Sequence, residues 1–165
     1  MASKVPTVRQ IAWISIIPQI FFMGFVILVY YKFELEEPIL YGALTYLVIS
    51  LCLRNLIAKS HRQGMKHVKQ QQFSDAIPFF EASVDFFTRN QWIDKFRFIM
   101  LLNSSKMTYK EMGLCNIAFC YGQIGNGVKA KEYYEMTLRE FPNSGIALTA
   151  LKFINSVEHK ENFEE

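Results

Sequence analysis

GLCNIAFCYGQIGNGVKAKEYYEMTLREFPNS, from Gly113 to Ser144, is the stretch on which the fold turns. Just upstream, Thr108–Glu111 reads TYKE. A hydroxyl three residues ahead of a carboxylate is a capping box, which satisfies free N–H groups at a helix start. Apolar side chains then recur at Met112, Leu114, Ile117, Ala118 and Tyr121. That is helical spacing, not the alternation of a strand. GNG at Gly125–Gly127 ends the helix with residues that tolerate positive φ. A second helix is predicted from Val128 to Glu140, with Ala130, Tyr133, Tyr134, Thr137 and Leu138 on its inner face. FPN at Phe141–Asn143 stops it.

This helical pair resembles a tetratricopeptide repeat, a unit of about 34 residues. With Pro142 at the repeat's proline, Leu114 falls at its first large anchor and Ile117 at its leucine. Ala118 takes the small position and Tyr121 the tyrosine. Gly125 matches the turn, Ala130 the first small residue of the second helix, and Tyr134 the aromatic. Thr137 stands where alanine is usual. A weaker copy lies upstream, with Gly64 at the small position, Ala76 and Phe80 in its second helix, and Ser83 at the second small position. It departs at Ser60, at His67 and at the turn, where Gln71 replaces glycine. Pro78 sits early in its second helix, where it removes only one backbone bond.

The resemblance implies an all-α domain over 58–158, with repeats at 57–90 and 111–144, an insertion at 91–110, a capping helix at 145–158 and a polar tail at 159–165. The insertion is rich in apolar residues (Phe96, Phe98, Ile99, Met100, Leu101, Leu102), too many for one face of a lone helix. Packing on the repeats, binding a partner and touching a membrane are all open to it. Two repeats and a cap fall short of the three that such stacks ordinarily need. Docking on the rest of the chain, self-association or a partner must supply the remaining burial.

Ahead of this domain, residues 1–57 are predicted to form a transmembrane helical hairpin. The run from Ile11 to Tyr31 carries no charge and is long enough for a hydrocarbon core of roughly 30 Å. Thr7–Gln10 is a second capping box, and Trp13, Tyr30 and Tyr31 flank the run as interface aromatics do. A kink is expected at Pro18. The next run begins at Ile39 and extends through a snorkelling Arg54 to residue 57. The connection Lys32–Pro38 is short and acidic, so the helices should be antiparallel neighbours. The second of them should continue unbroken into the first repeat. Lys4 and Arg9 precede the first run, and Arg54, Lys59, Arg62, Lys66 and Lys69 follow the second. Basic flanks face the cytoplasm, so both termini are expected there, with a bacterial inner membrane as the default. Gln19 reads as glue between the helices.

Composition narrows the function. Net charge is +3 among 165 residues, too mild to argue for nucleic acid, and no nucleic-acid-binding motif accompanies it. The three cysteines show no disulfide framework. Cys115 and Cys120 lie about 140° apart around a helix and cannot face one ligand. His61, His67 and His159 form no metal-ligand pattern, and GQIGNG lies between helices, not after a strand. No metal, cofactor or catalytic residue is expected, and the chain does not read as an enzyme. The family resemblance implies a concave groove lined by the first helices. Carried over, it places His61, Met65, Val68, Lys69, Met112, Cys115, Asn116, Phe119, Gly122 and Gln123 there. Met65, Val68, Lys69, Met112, Cys115, Asn116, Phe119 and Gln123 are the candidate contacts for an apolar peptide or amphipathic helix. Lys59, Arg62, Lys66 and Lys69 form a basic flank toward lipid headgroups. The expected function is a membrane-anchored protein-interaction adaptor or assembly factor whose protein partner is itself membrane-associated. The alternative is a membrane-embedded inhibitor or immunity-type protein that acts through its hairpin.

Overall fold

The computed structural model describes residues 13–102 and 104–164. The described residues are mostly helical and contain no strand. A 3-10 turn, Trp13–Ser15, leads into α1 (Ile16–Lys32). There follow α2 (Pro38–Ile57), α3 (Lys59–Lys69), α4 (Phe73–Arg89), α5 (Gln91–Lys95), α6 (Arg97–Met100), α7 (Tyr109–Gln123), α8 (Gly127–Glu140) and α9 (Gly145–Glu164). The capping box at Thr7–Gln10 and the basic residues Lys4 and Arg9 lie outside the described residues.

The chain divides into two units. One comprises Met1–Ile57 with Lys95–Thr108, the other Ala58–Asp94 with Tyr109–Glu165. Most of the insertion 91–110, for which packing on the repeats, a partner and a membrane are all open, thus groups with the first unit. Periodicity reports only that a segment is apolar. What draws Lys95–Thr108 to the first unit is a set of polar bonds to α1 and α2, described below.

In the first unit α1 and α2 are antiparallel neighbours. Phe22 meets Tyr46 with ring centroids 6.2 Å apart, and Tyr30 meets Tyr41 at the same separation. The hydroxyls of Tyr30 and Thr45 lie 2.9 Å apart. Close approach depends on Gly42, because a Cβ there would strike the Ile27 side chain and lie 3.1 Å from the Ile27 Cα. Pro18 falls in the first turn of α1, where its missing N–H would have no intrahelical partner anyway. The backbone changes from 3-10 to α just ahead of the proline. Only Gly42 and Ser50 of α2 are buried, and no residue of α1 is. Ile17, Phe21, Phe25, Leu28, Leu44, Leu47, Val48 and Leu51 all point outward. Among the described residues α2 is the one helix long and apolar enough to cross a membrane, while α1 is apolar but shorter.

The second unit is a stack in which α3 packs on α4, α4 on α7, α7 on α8, and α8 on α9. Its core is built from matching positions of the two helical pairs. Gly64, Ala76, Phe80 and Ser83 are buried in the first pair; Ala118, Ala130, Tyr134 and Thr137 are buried at the equivalent places in the second. A Cβ on Gly64 would come within 2.8 Å of the Phe80 ring, so the small residue is a packing requirement. Thr137 fits because its hydroxyl donates to the Tyr133 carbonyl at 2.8 Å, the usual way a helical threonine hides its polar atom. The turns also match. Gln71 and Gly125 both have positive φ, +60° and +80°. In one turn Gln71 N–H donates to Val68 and Gln72 N–H to His67; in the other Gly125 N–H donates to Gly122 and Asn126 N–H to Tyr121. This is the paired bonding of a helix-ending Schellman turn. Asn126 then opens α8, its side chain accepting from Lys129 N–H at 3.1 Å.

Two local outcomes differ from expectation. A single residue, Ala58, separates α2 from α3 with non-helical backbone angles, so they are two helices, not one. At the other end α9 extends through the polar tail to Glu164, and nothing after Gly145 is glycine or proline.

Candidate functional site

The candidate groove lies on α3 and α7 of the second unit. The two helices touch where the Asn116 side-chain amide donates to the Met65 sulfur at 3.6 Å. Phe119 packs edge-on against Phe73, centroids 5.9 Å apart. Met65, Met112, Asn116 and Phe119 are half-buried, and Lys69 and Gln123 are exposed. Lys69 and Gln123 close the C-terminal ends of α3 and α7, and the half-buried Met65, Met112, Asn116 and Phe119 precede them. Val68 and Cys115 are buried in the core. They support the surface from beneath and offer nothing to a partner. The Cys115 thiol lies 3.9 Å from the Ser144 hydroxyl, and burial pushes it up to about 11. Burial does the same to Cys120. Neither is a thiolate at neutral pH, so neither is primed as a nucleophile or metal ligand. Among the described residues no three His, Cys, Asp or Glu side chains gather as a metal site.

His61, which the resemblance turns toward the groove, is buried between rings. Its imidazole meets Phe80 edge-on at 5.5 Å and Tyr109 at 5.3 Å. Its Nδ1 has no hydrogen-bond partner, and desolvation lowers its pKa to about 4. The imidazole is therefore neutral at pH 7 and behaves as an aromatic core residue. Lys59, Arg62, Lys66 and Lys69 are all exposed on α3, and their spacing lines them along one stripe.

What holds α7 in place escaped the sequence reading. The Asp94 carboxylate, 5% exposed, accepts from Tyr109 N–H at 2.8 Å and Lys110 N–H at 2.9 Å. It caps the first turn of α7 from α5, and a negative charge there also favours the helix dipole. At the same stroke it ties together the two ends of the segment Lys95–Thr108. No local signal marks this role, because cap and helix are well separated in sequence. Lys110 makes an ion pair with Glu140 at the end of α8, bracing the second helical pair.

In the first unit Arg54 holds the backbone of another segment. It donates through Nε to the Leu101 carbonyl at 3.3 Å and through Nη2 to the Leu102 carbonyl. Gln19 accepts from Tyr46 at 3.4 Å and donates to the Ser104 hydroxyl at 3.1 Å. Thus Gln19 does link the two helices, and it also tethers Lys95–Thr108. Comparison with known proteins matches the chain to no family model, no curated protein and no solved structure.

Proposed function

We propose that the chain is a membrane-anchored adaptor. In this reading α1 and α2 are a two-span hairpin with both termini on the cytoplasmic side. The helical stack is a short tetratricopeptide-like domain that docks a protein partner on the α3–α7 surface. The observation that carries the anchor is the outward apolar surface of α1 and α2, with Phe21, Phe25, Leu28, Leu47 and Val48 exposed together. Water-soluble surfaces do not tolerate a continuous patch on that scale. A bilayer removes the penalty.

The equivalent buried positions and matched turns of the two helical pairs favour the repeat reading. The α3–α7 surface, apolar around Met65, Met112 and Phe119 with Lys69 and Gln123 exposed, suits one face of an amphipathic helix or an apolar peptide. Because the stack is short, it gains from such a ligand or from a second copy of itself.

The test is a photo-crosslinking residue at Gln123 in the native host, combined with the double substitution Met112→Lys and Phe119→Asp. One dominant foreign adduct, lost in the double variant while its circular dichroism stays native, supports the adaptor. Activity that survives the double variant but is lost when α1 and α2 are exchanged for an unrelated hairpin overturns it in favour of action through the membrane segment.

A further inference from the structure

The segment Lys95–Thr108 has a composition and a setting that neither the helical stack nor the α1–α2 pair requires. It contains Lys95, Arg97 and Lys106 but no Asp or Glu. Leu101 and Leu102 are buried, and their carbonyls are held by Arg54. Leu102 is kept at φ +46°, a left-handed conformation that costs a non-glycine residue energy and persists only where its surroundings enforce it. Arg97 closes the segment on itself, donating to the carbonyls of Ser105 at 3.0 Å and Lys106 at 2.6 Å. Its guanidinium lies 4.6 Å from the Phe98 ring centre. The backbone is thus clamped, while two large apolar side chains are left outside, Phe96 at 50% and Ile99 at 53% exposure. Lys95 and Lys106 are exposed with them.

Location gives this pattern its meaning. Gln19 lies in the first turns of α1 and Arg54 in the last turn of α2. Both belong to the end of the antiparallel pair opposite the acidic turn that holds Glu34, Glu36 and Glu37. If the pair spans a bilayer, that end is the cytoplasmic water–lipid boundary. A segment with exposed Phe and Ile, exposed lysines and no acid is suited to that boundary: apolar groups reach below the headgroups and ammonium groups meet anionic phosphates.

We infer that Lys95–Thr108 is an interfacial membrane element, with Phe96 and Ile99 seated in the outer acyl region of the cytoplasmic leaflet and Lys95 and Lys106 against anionic lipid headgroups. The inference rests on the membrane reading of α1 and α2 given above. It assigns the segment a lipid partner, not a protein one.

The experiment uses the full chain reconstituted in phosphatidylcholine–phosphatidylglycerol vesicles, with Trp13→Phe and Trp92→Phe as background. Single reporters are Phe96→Trp, Ile99→Trp, Leu47→Trp on the outer face of α2, and Val128→Trp on α8. Lipids brominated on the acyl chain quench only tryptophans that reach the bilayer interior. The expected result is loss of most emission at 96, 99 and 47, with emission at 128 retained. The 96 and 99 reporters should be quenched best by shallow bromines, and their quenching should weaken when phosphatidylglycerol is omitted. Reporters at 96 and 99 that match 128 while 47 is quenched overturn the interfacial assignment and leave the anchor standing. An unquenched 47 overturns the anchor and this inference with it.

Discussion

Replacing Asp94 with alanine should loosen the helix that carries most of the candidate groove. The carboxylate is buried and accepts two N–H groups from the first turn of α7. Losing a side-chain cap costs about 0.5–2 kcal/mol. Removing a well-placed negative charge from a helix N-terminus costs about 0.3–1 kcal/mol, more where it is partly buried. Leaving the Tyr109 N–H without a partner in a buried setting adds about 1–3 kcal/mol. These terms overlap, because one carboxylate serves all three, so the expected loss is about 2–4 kcal/mol and not their sum. Asp94→Asn keeps one acceptor and should lose roughly half as much. The readouts are the denaturant midpoint of the full chain in detergent and hydrogen exchange at individual amides. Tyr109 and Lys110 should exchange faster in the alanine variant, with the rest of α7 following, while α1 and α2 stay unchanged. An Asp94→Ala protein with the parent midpoint and unchanged protection at those two amides would refute the capping argument.

Three further outcomes follow from the packing. Because burial holds His61 near pKa 4 against 6.5 in the unfolded chain, unfolding takes up a proton between those values. Stability should therefore be full above pH 6.5 and fall by about 1.4 kcal/mol per pH unit toward pH 4, about 3 kcal/mol in all; His61→Leu should remove that part of the slope in midpoints measured at pH 7 and pH 5. Gln71→Gly should raise stability by about 0.5–1 kcal/mol, since relief of a left-handed glutamine exceeds the added chain entropy of glycine; an unchanged or lower thermal midpoint would speak against the strained turn. Gly64→Ala forces a methyl into the Phe80 ring and should cost about 1–3 kcal/mol, read as a lower midpoint that Phe80→Leu in the same chain partly restores.

The helices of the second unit were legible in the sequence because their signals are local. Caps, positive-φ turns and apolar spacing at Thr108–Glu111, Gly125–Gly127 and Phe141–Asn143 each concern residues within a turn or two of one another. The small positions Gly64, Ala118, Ala76 and Ala130 could be located because tight helix crossings exclude larger side chains wherever they occur. The family resemblance, not periodicity, named the eight candidate groove residues, and they lie on α3 and α7. That resemblance could not separate the half-buried Met65, Met112, Asn116 and Phe119 from Val68 and Cys115, which a small rotation of the helix turns into the core.

Everything that tertiary structure alone decided depends on contacts distant in sequence. Asp94 reads as an ordinary surface acid until α7 returns beside it. Arg54 and Gln19 read as a flank and a glue residue until Leu101, Leu102 and Ser104 arrive with carbonyls and a hydroxyl to bond. His61 reads as a member of a basic helix until Phe80 and Tyr109 close around it and remove its water. The apolar segment Lys95–Thr108 carries no record of its destination, because hydrophobic attraction has no direction. Buried polar groups must instead find specific partners, and here those partners, the Arg54 guanidinium and the Gln19 amide, fix where the segment goes.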